Sequence, residues 1–378
     1  MGPTFRLGRI GGVSIDASWT VVVILWLLTW SLASYTLPES APGYAAGVYW
    51  AGGLLAALAL VASILAHELS HAAVANRHGG HVEEITLWMF GGVARLGRQS
   101  GDPGTELRIA LAGPAMSVAI GAGCLAVAAA SGGLGGPDLF TAALAWLGVL
   151  NVVLAVFNLL PGAPLDGGRV LAALLWQRTG DERLARKRAA RAGQILGQVL
   201  IALGVVEFVL GAGIGGLWLA LIGWFLTTSA RAEESDVDMV AAFGGVRVAE
   251  VMTTDVRTVS GDRTVADFVH HDAMTACVSS FPVVDGDGGL VGLVTLRRLR
   301  QLPPAAWATT TLGAAAVPLD QLAVAEPDEL LIDVLRRAGA GDGRVVVIDG
   351  QRLVGIVTPS DVTTALERLS LTHLRGGQ

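Results

Sequence analysis

His67-Glu68-Leu69-Ser70-His71 lies inside an apolar run from about Gly52 to Val74, and the reading of these five residues decides the fold. On a helix, two histidines four apart share a face and can hold one zinc ion between them. The glutamate beside the first is then placed to act as general base on a water at the metal. The run is long enough to cross a bilayer. Ionisable groups in such a span cost about 2.5–3.5 kcal/mol each unless they are paired or metal-bound. The segment therefore points to hydrolysis within the membrane.

Composition agrees. The chain has 378 residues, 52% hydrophobic and 15% charged, with a mean hydropathy of +0.58. Ordinary soluble proteins carry about 25% charged residues, so that class is excluded. The net charge of −6 leaves no nucleic-acid footprint. Cys124 and Cys277 are too few and too far apart for a disulfide framework and read as small buried hydrophobes. Lys187 is the single lysine among 26 basic residues, a bias expected of a GC-rich bacterial genome. Met1–Ser14 lacks the pattern of a cleaved signal peptide, so the first apolar stretch reads as a retained span.

Six spans are expected, at about 17–37, 47–75, 105–131, 139–160, 194–212 and 214–231. The loops sort by charge. Segments 38–46, 132–138 and 211–216 carry no Lys or Arg, whereas Arg6 and Arg9, then Arg77, Arg95 and Arg98, then the run from Arg169 to Arg191 occupy the others. Under the positive-inside rule both termini are cytoplasmic, and the histidine pair lies towards the cytoplasmic face. Glu207, in span five, is a further intramembrane carboxylate.

A second motif completes the site: Asn158-Leu-Leu-Pro161-Gly-Ala-Pro164-Leu-Asp166-Gly167-Gly168. Its prolines and glycines cannot continue a helix, and such a bent turn is tolerated at depth only where it lines a protein cavity. It can bring Asp166 to a neighbouring helix. Two histidines and one carboxylate leave a fourth zinc position open, as catalysis requires.

The helix carrying His67, Glu68 and His71, followed by this segment, resembles the site-2 protease family of intramembrane zinc metalloproteases, specifically the bacterial and archaeal branch with six spans and a C-terminal pair of CBS domains. The resemblance implies His67, His71 and Asp166 as zinc ligands, Glu68 as general base and Asn158 as an active-site neighbour. It also implies that Gly113-Pro114 lies in the helix beside the metal. Ile85 to Leu96 reads as two apolar strands around Gly91-Gly92, where the family places a re-entrant β-hairpin; its edge would take substrate by strand addition. Asn151, two turns before Asn158, either contacts substrate or bonds a neighbouring helix.

After a linker at 232–245 comes an internal repeat. Phe281-Pro-Val-Val-Asp285 through Val291-Gly-Leu-Val-Thr295 returns as Val345-Val-Val-Ile-Asp349 through Val354-Gly-Ile-Val-Thr358. Each unit resembles a CBS domain, at 246–304 and 305–370, with a tail at 371–378. The family's ribose-phosphate pattern is whole in the second unit, as Gly355, Thr358 and Asp361. The first keeps Gly292 and Thr295 but has Arg298 in place of the acid. One site for ATP or AMP follows, with Arg298 left to meet a phosphate, and the module offers a homodimer surface.

The expected architecture is thus a polytopic α-helical membrane protein (residues 1–231) with a cytoplasmic α/β tandem CBS module, in the plasma membrane of a bacterium. The expected activity is zinc-dependent cleavage of single-span membrane proteins: an anti-sigma factor, a pro-transcription factor or a signal-peptide remnant. The competing class is a transporter or channel regulator, since CBS pairs also hang from ion transporters; such a protein would not need Glu68.

Overall fold

The computed structural model describes residues 4–80, 82–88, 91–96, 101–211, 213–273, 278–338, 343–350 and 352–375. Cys277, Arg98 and the last three residues of the tail lie outside them. The chain divides into two compact units, Met1–Val237 and Asp238–Gln378.

In the first unit, five helices among the described residues are long and apolar enough to cross a membrane: α1 (Trp19–Ser40), α2 (Ala46–Arg77), α3 (Pro103–Gly133), α4 (Asp138–Asn158) and α6 (Glu182–Val209). α1 contains one π-helical turn at Leu32–Thr36. Between α4 and α6 lies α5 (Asp166–Thr179). The sixth expected span is the first part of α7 (Ile214–Phe243), which is not among the five. The acidic residues after Arg231, expected in a linker at 232–245, continue that same helix. The basic stretch expected as a loop after span four is likewise helical, divided between α5 and α6. Gly180, at φ 71°, ends α5, and the Asp181 carboxylate accepts the Leu184 amide at 2.9 Å to start α6.

The outer face of these helices is apolar. Trp26 and Trp30 on α1, Leu55 and Leu58 on α2, Val153 and Val156 on α4 and Leu203 on α6 are all exposed. Ser63, His67, His71, Ser117 and Asn151, polar side chains of these spans, are buried. That inversion suits a surrounding solvent of lipid tails.

A four-stranded sheet closes one end, in the order β1 (Thr4–Ile10), β2 (Val13–Ser18), β3 (Val82–Trp88), β4 (Gly91–Leu96). The expected hairpin is present as β3–β4, with Trp88 opposite Gly91. It is not alone, however. The N-terminal segment, read from sequence as a basic arm, supplies two more strands, and β2 runs parallel to β3 with Ile15 opposite Ile85. Gly91 and Gly92, expected at the turn, are the first two residues of β4.

In the second unit the two repeats share one topology. β5 (Val259–Ser260) lies parallel to β6 (Ser280–Val284), which pairs antiparallel with β7 (Leu290–Thr295) and onward to β8 (Val317–Pro318). β9 (Ala323–Ala325), β10 (Val345–Asp349) and β11 (Arg352–Val357) repeat the pattern. Even the register irregularity recurs, at Val283/Val284 and at Val347/Ile348. The cores do not follow the sequence boundary near 304. Phe243 and Val248 pack with Leu331, Val345 and Val357 of the second repeat, while Leu312, Ala315 and Ala316 pack with Phe268, Phe281 and Val294 of the first. Each repeat thus lends its leading segment to the other's core.

Candidate metal centre

α2 places His67 and His71 one turn apart on its buried face. Asp166 enters from the first turn of α5, and the loop before it is fixed by backbone contacts. The Ala163 amide donates to the Ala189 carbonyl of α6 at 3.1 Å. A side chain at Gly168 would collide with the backbone of Ala163. The motif's glycines are there because the chain doubles back on itself.

Three ligand atoms converge. His67 Nε2 is 3.1 Å from Asp166 Oδ2, His71 Nε2 is 3.3 Å from the same oxygen, and the two Nε2 atoms are 3.2 Å apart. A tetrahedral zinc with bonds of about 2.0 Å needs ligand atoms about 3.3 Å apart. His71 Nδ1 sits 2.6 Å from the carbonyl oxygen of Ile109, which only accepts, so Nδ1 carries the proton. His67 Nδ1 is 2.9 Å from Ser117 Oγ. Both rings therefore turn Nε2 towards Asp166 with the far nitrogen held by a hydrogen bond, the usual outer support of metal-ligating histidine. The donor set fits zinc.

Glu68 is half-buried beside this triangle. The Gly92 amide donates to its carboxylate, so β4 bears directly on the glutamate. Gly113, on α3, faces both rings: a Cβ there would lie 2.5 Å from His67 Nε2 and closer still to His71 Nε2. Pro114, the expected neighbour, is buried one residue farther on.

The structure thus gathers His67, Glu68, His71, Asp166, Gly92 and Gly113. Asn158 ends α4 half-buried, and Asn151 is fully buried, its amide donating to the Leu147 carbonyl of its own helix at 2.9 Å. Among the described residues no hydrogen bond joins either asparagine to the cluster. Sequence reasoning passed over Ser117 and Ile109. A serine in an apolar helix, one turn past a Gly-Pro step, was the available signal for the first; a backbone carbonyl gives none.

Two stretches, residues 55–141 and 137–204, match the family model described as peptidase family M50, and 248–304 and 314–368 match the CBS domain. A Mycobacterium tuberculosis protein assigned as the zinc metalloprotease Rip3 is 47% identical over 97% of this chain and 94% of its own length. The chain belongs to peptidase family M50, the site-2 proteases. A Synechocystis relative assigned as the zinc metalloprotease sll0528 is 29% identical, over 98% of this chain and 95% of its own. The zinc metalloprotease MJ0392 of Methanocaldococcus jannaschii is 27% identical over 98% of both chains. This M50 member is accordingly a multi-pass membrane zinc metalloprotease with a CBS pair.

In the CBS unit, Asp361 Oδ2 accepts the Thr358 amide at 2.8 Å and the Thr358 hydroxyl at 2.6 Å, while Oδ1 accepts the Thr253 hydroxyl at 3.0 Å. Gly355 lies against Met252 and Thr253, where a side chain would not fit. Thr295, the first repeat's candidate, is buried, and its hydroxyl accepts the Arg298 amide at 3.2 Å. Arg298, expected to be open to a phosphate, donates instead to the Ala315 carbonyl at 2.6 Å. The first repeat's pattern has become a helix cap and a brace.

Proposed function

We propose that this M50 protease cleaves the transmembrane segments of single-span membrane proteins, with His67, His71 and Asp166 holding one zinc ion and Glu68 as general base. The observation that carries the reading is the triangle of ligand atoms with 3.1–3.3 Å edges, set directly beside Glu68. Bound zinc would polarise the scissile carbonyl and lower the pKa of a coordinated water to about 7. Glu68 takes the proton from the attacking water and returns it to the leaving amine, while the Gly92 amide fixes where its carboxylate points. β4 is an edge strand, so an extended substrate can pair along it and present its peptide bond next to Glu68. This reading treats β3–β4 as re-entrant at the cytoplasmic side of a plasma membrane.

The first part of α7 completes six spans: Leu217, Trp218, Leu221 and Trp224 are exposed at helical spacing, and glycines pack it closely on α6. Both termini are then cytoplasmic. Coexpression of tagged single-span candidates (anti-sigma factors, membrane-tethered transcription factors, signal-peptide remnants) with wild type and with Glu68→Gln is the test. A fragment that appears equally with both proteins refutes the assignment.

The CBS pair binds ATP or AMP in this reading, through Gly355, Thr358 and Asp361, with Thr295 left to its structural part. Arg344 donates to Ser279 at 3.1 Å and is held below the usual guanidinium range by burial and then by Arg297. Two guanidinium groups so placed favour an anion between the repeats.

A further inference from the structure

We propose that α3, which supplies no ligand, is the frame on which all three ligands are set, and that the Glu106–Arg169 ion pair is its arm to Asp166. The inference rests on the reading of His67, His71 and Asp166 as the metal ligands. Glu106, Ile109, Gly113 and Ser117 follow one another at spacings of three, four and four, a single stripe on one face of the helix. Along that stripe Ile109 holds His71 through its carbonyl, Ser117 holds His67, and Gly113 lets both rings close in. Glu106, one turn before Ile109, reaches the third element. Its Oε1 accepts from Arg169 Nη2 at 2.8 Å and from Nε at 3.1 Å. Arg169 stands one turn after Asp166 on α5.

Two donors on one oxygen fix direction as well as distance. The Glu106 side chain is only 14% exposed, so losing Arg169 would take a charge-assisted bond from a largely buried carboxylate. α3 and α5 pack against each other, and the ion pair adds a polar tie between their first turns. A cavity of about 250 Å³ opens there, with Ile109, Ala163, Gly168 and Trp176 in its wall. Beside this space the ion pair ties the first turn of α5, which carries Asp166, to α3. Arg169 and Glu106 are positioning residues that act through Asp166.

The experiment measures zinc affinity of the full-length protein in detergent by competition with a chelator. The proteins are wild type, Glu106→Gln, Arg169→Lys and the exchange Glu106→Arg/Arg169→Glu, with Glu106→Gln also placed in an Asp166→Ala background. Gel filtration and helix content verify folding. Loss of an outer support lowers metal affinity by about 10- to 100-fold. That loss is expected for Glu106→Gln, a smaller one for Arg169→Lys, and recovery for the exchange. Saturating zinc should restore the turnover of Glu106→Gln. In the Asp166→Ala background Glu106→Gln should cost nothing more. Unchanged zinc affinity of Glu106→Gln, or an equal loss with and without Asp166, overturns the frame while leaving the metal centre standing. A wild type that takes up no zinc overturns the metal centre and the frame together. Should Glu106→Gln fail to fold, Arg169→Lys against Arg169→Lys/Asp166→Ala decides by the same comparison.

Discussion

Gly92 presses its bare Cα against the side chain of Glu68: a Cβ there would lie 2.5 Å from Cγ and 2.7 Å from Cδ. Strand and helix meet at this point with no room for a methyl group. Gly92→Ala must therefore push the carboxylate aside while leaving the zinc ligands in place. A displacement of about 1 Å at a catalytic group costs about 10²-fold in rate. Cleavage should fall by that order with zinc content unchanged; a variant of wild-type activity would show that Glu68 is not held by β4.

Gly113→Ala acts on the other component. Its methyl would intrude on both imidazole rings at once, so zinc and activity should be lost together while helix content is kept. Elemental analysis of purified protein reads the first and a coexpressed substrate the second. Retention of one zinc per chain would mean that the rings do not meet the ion through Nε2.

Asp166→Ala and Glu68→Gln separate ligand from base. The first should lose most of its metal; the second should keep about one zinc per chain and cleave nothing. If Asp166→Ala keeps both metal and activity, the carboxylate ligand has been misassigned.

For the CBS unit, a fragment of residues 238–378 should bind ATP or AMP in calorimetry. Asp361→Ala should weaken binding by tenfold or more, since hydrogen bonds to a charged acceptor contribute about 1.5–3 kcal/mol each. Thr295→Val should leave affinity alone, because that side chain is buried and the acidic residue of the pattern is missing from its repeat. The opposite ranking would move the site to the first repeat.

Leu312→Ala tests the exchanged cores. Leu312 belongs by sequence to the second repeat but is fully buried in the first. Its truncation should cost about 2–5 kcal/mol in urea unfolding of the same fragment. It should also expose Phe268 and Phe281 to hydrogen exchange before Leu331. Loss confined to the second repeat would contradict the exchange.

Much of the centre is legible in the chain because its chemistry is local. The spacing of His67, Glu68 and His71 is a helical period, and the prolines and glycines around Asp166 can only make a turn. The supports were not legible, for a physical reason. The Ile109 carbonyl is shared by every residue type, and Ser117 resembles any small residue in a packed span. The N-terminal strands were missed differently. Gly11-Gly12 between two short polar-apolar stretches is a hairpin signal, but two arginines beside a membrane span drew the reading towards orientation instead. α5 and the start of α6 were hidden in the same way, as charge in a presumed loop outweighed helical periodicity.

The parallel pairing of β2 with β3 sets an order of assembly. Ser14 must wait for Glu84, seventy residues later in synthesis, with two membrane helices to be inserted between them. Until then β2 has only β1 beside it, and β1 covers one edge of a strand whose other edge is unsatisfied. The wall beside Glu68 therefore cannot form before the first two spans have been made, and the glutamate gains its Gly92 partner only after they are in the bilayer. A nascent chain would carry its histidine pair through insertion before it had the means to use it.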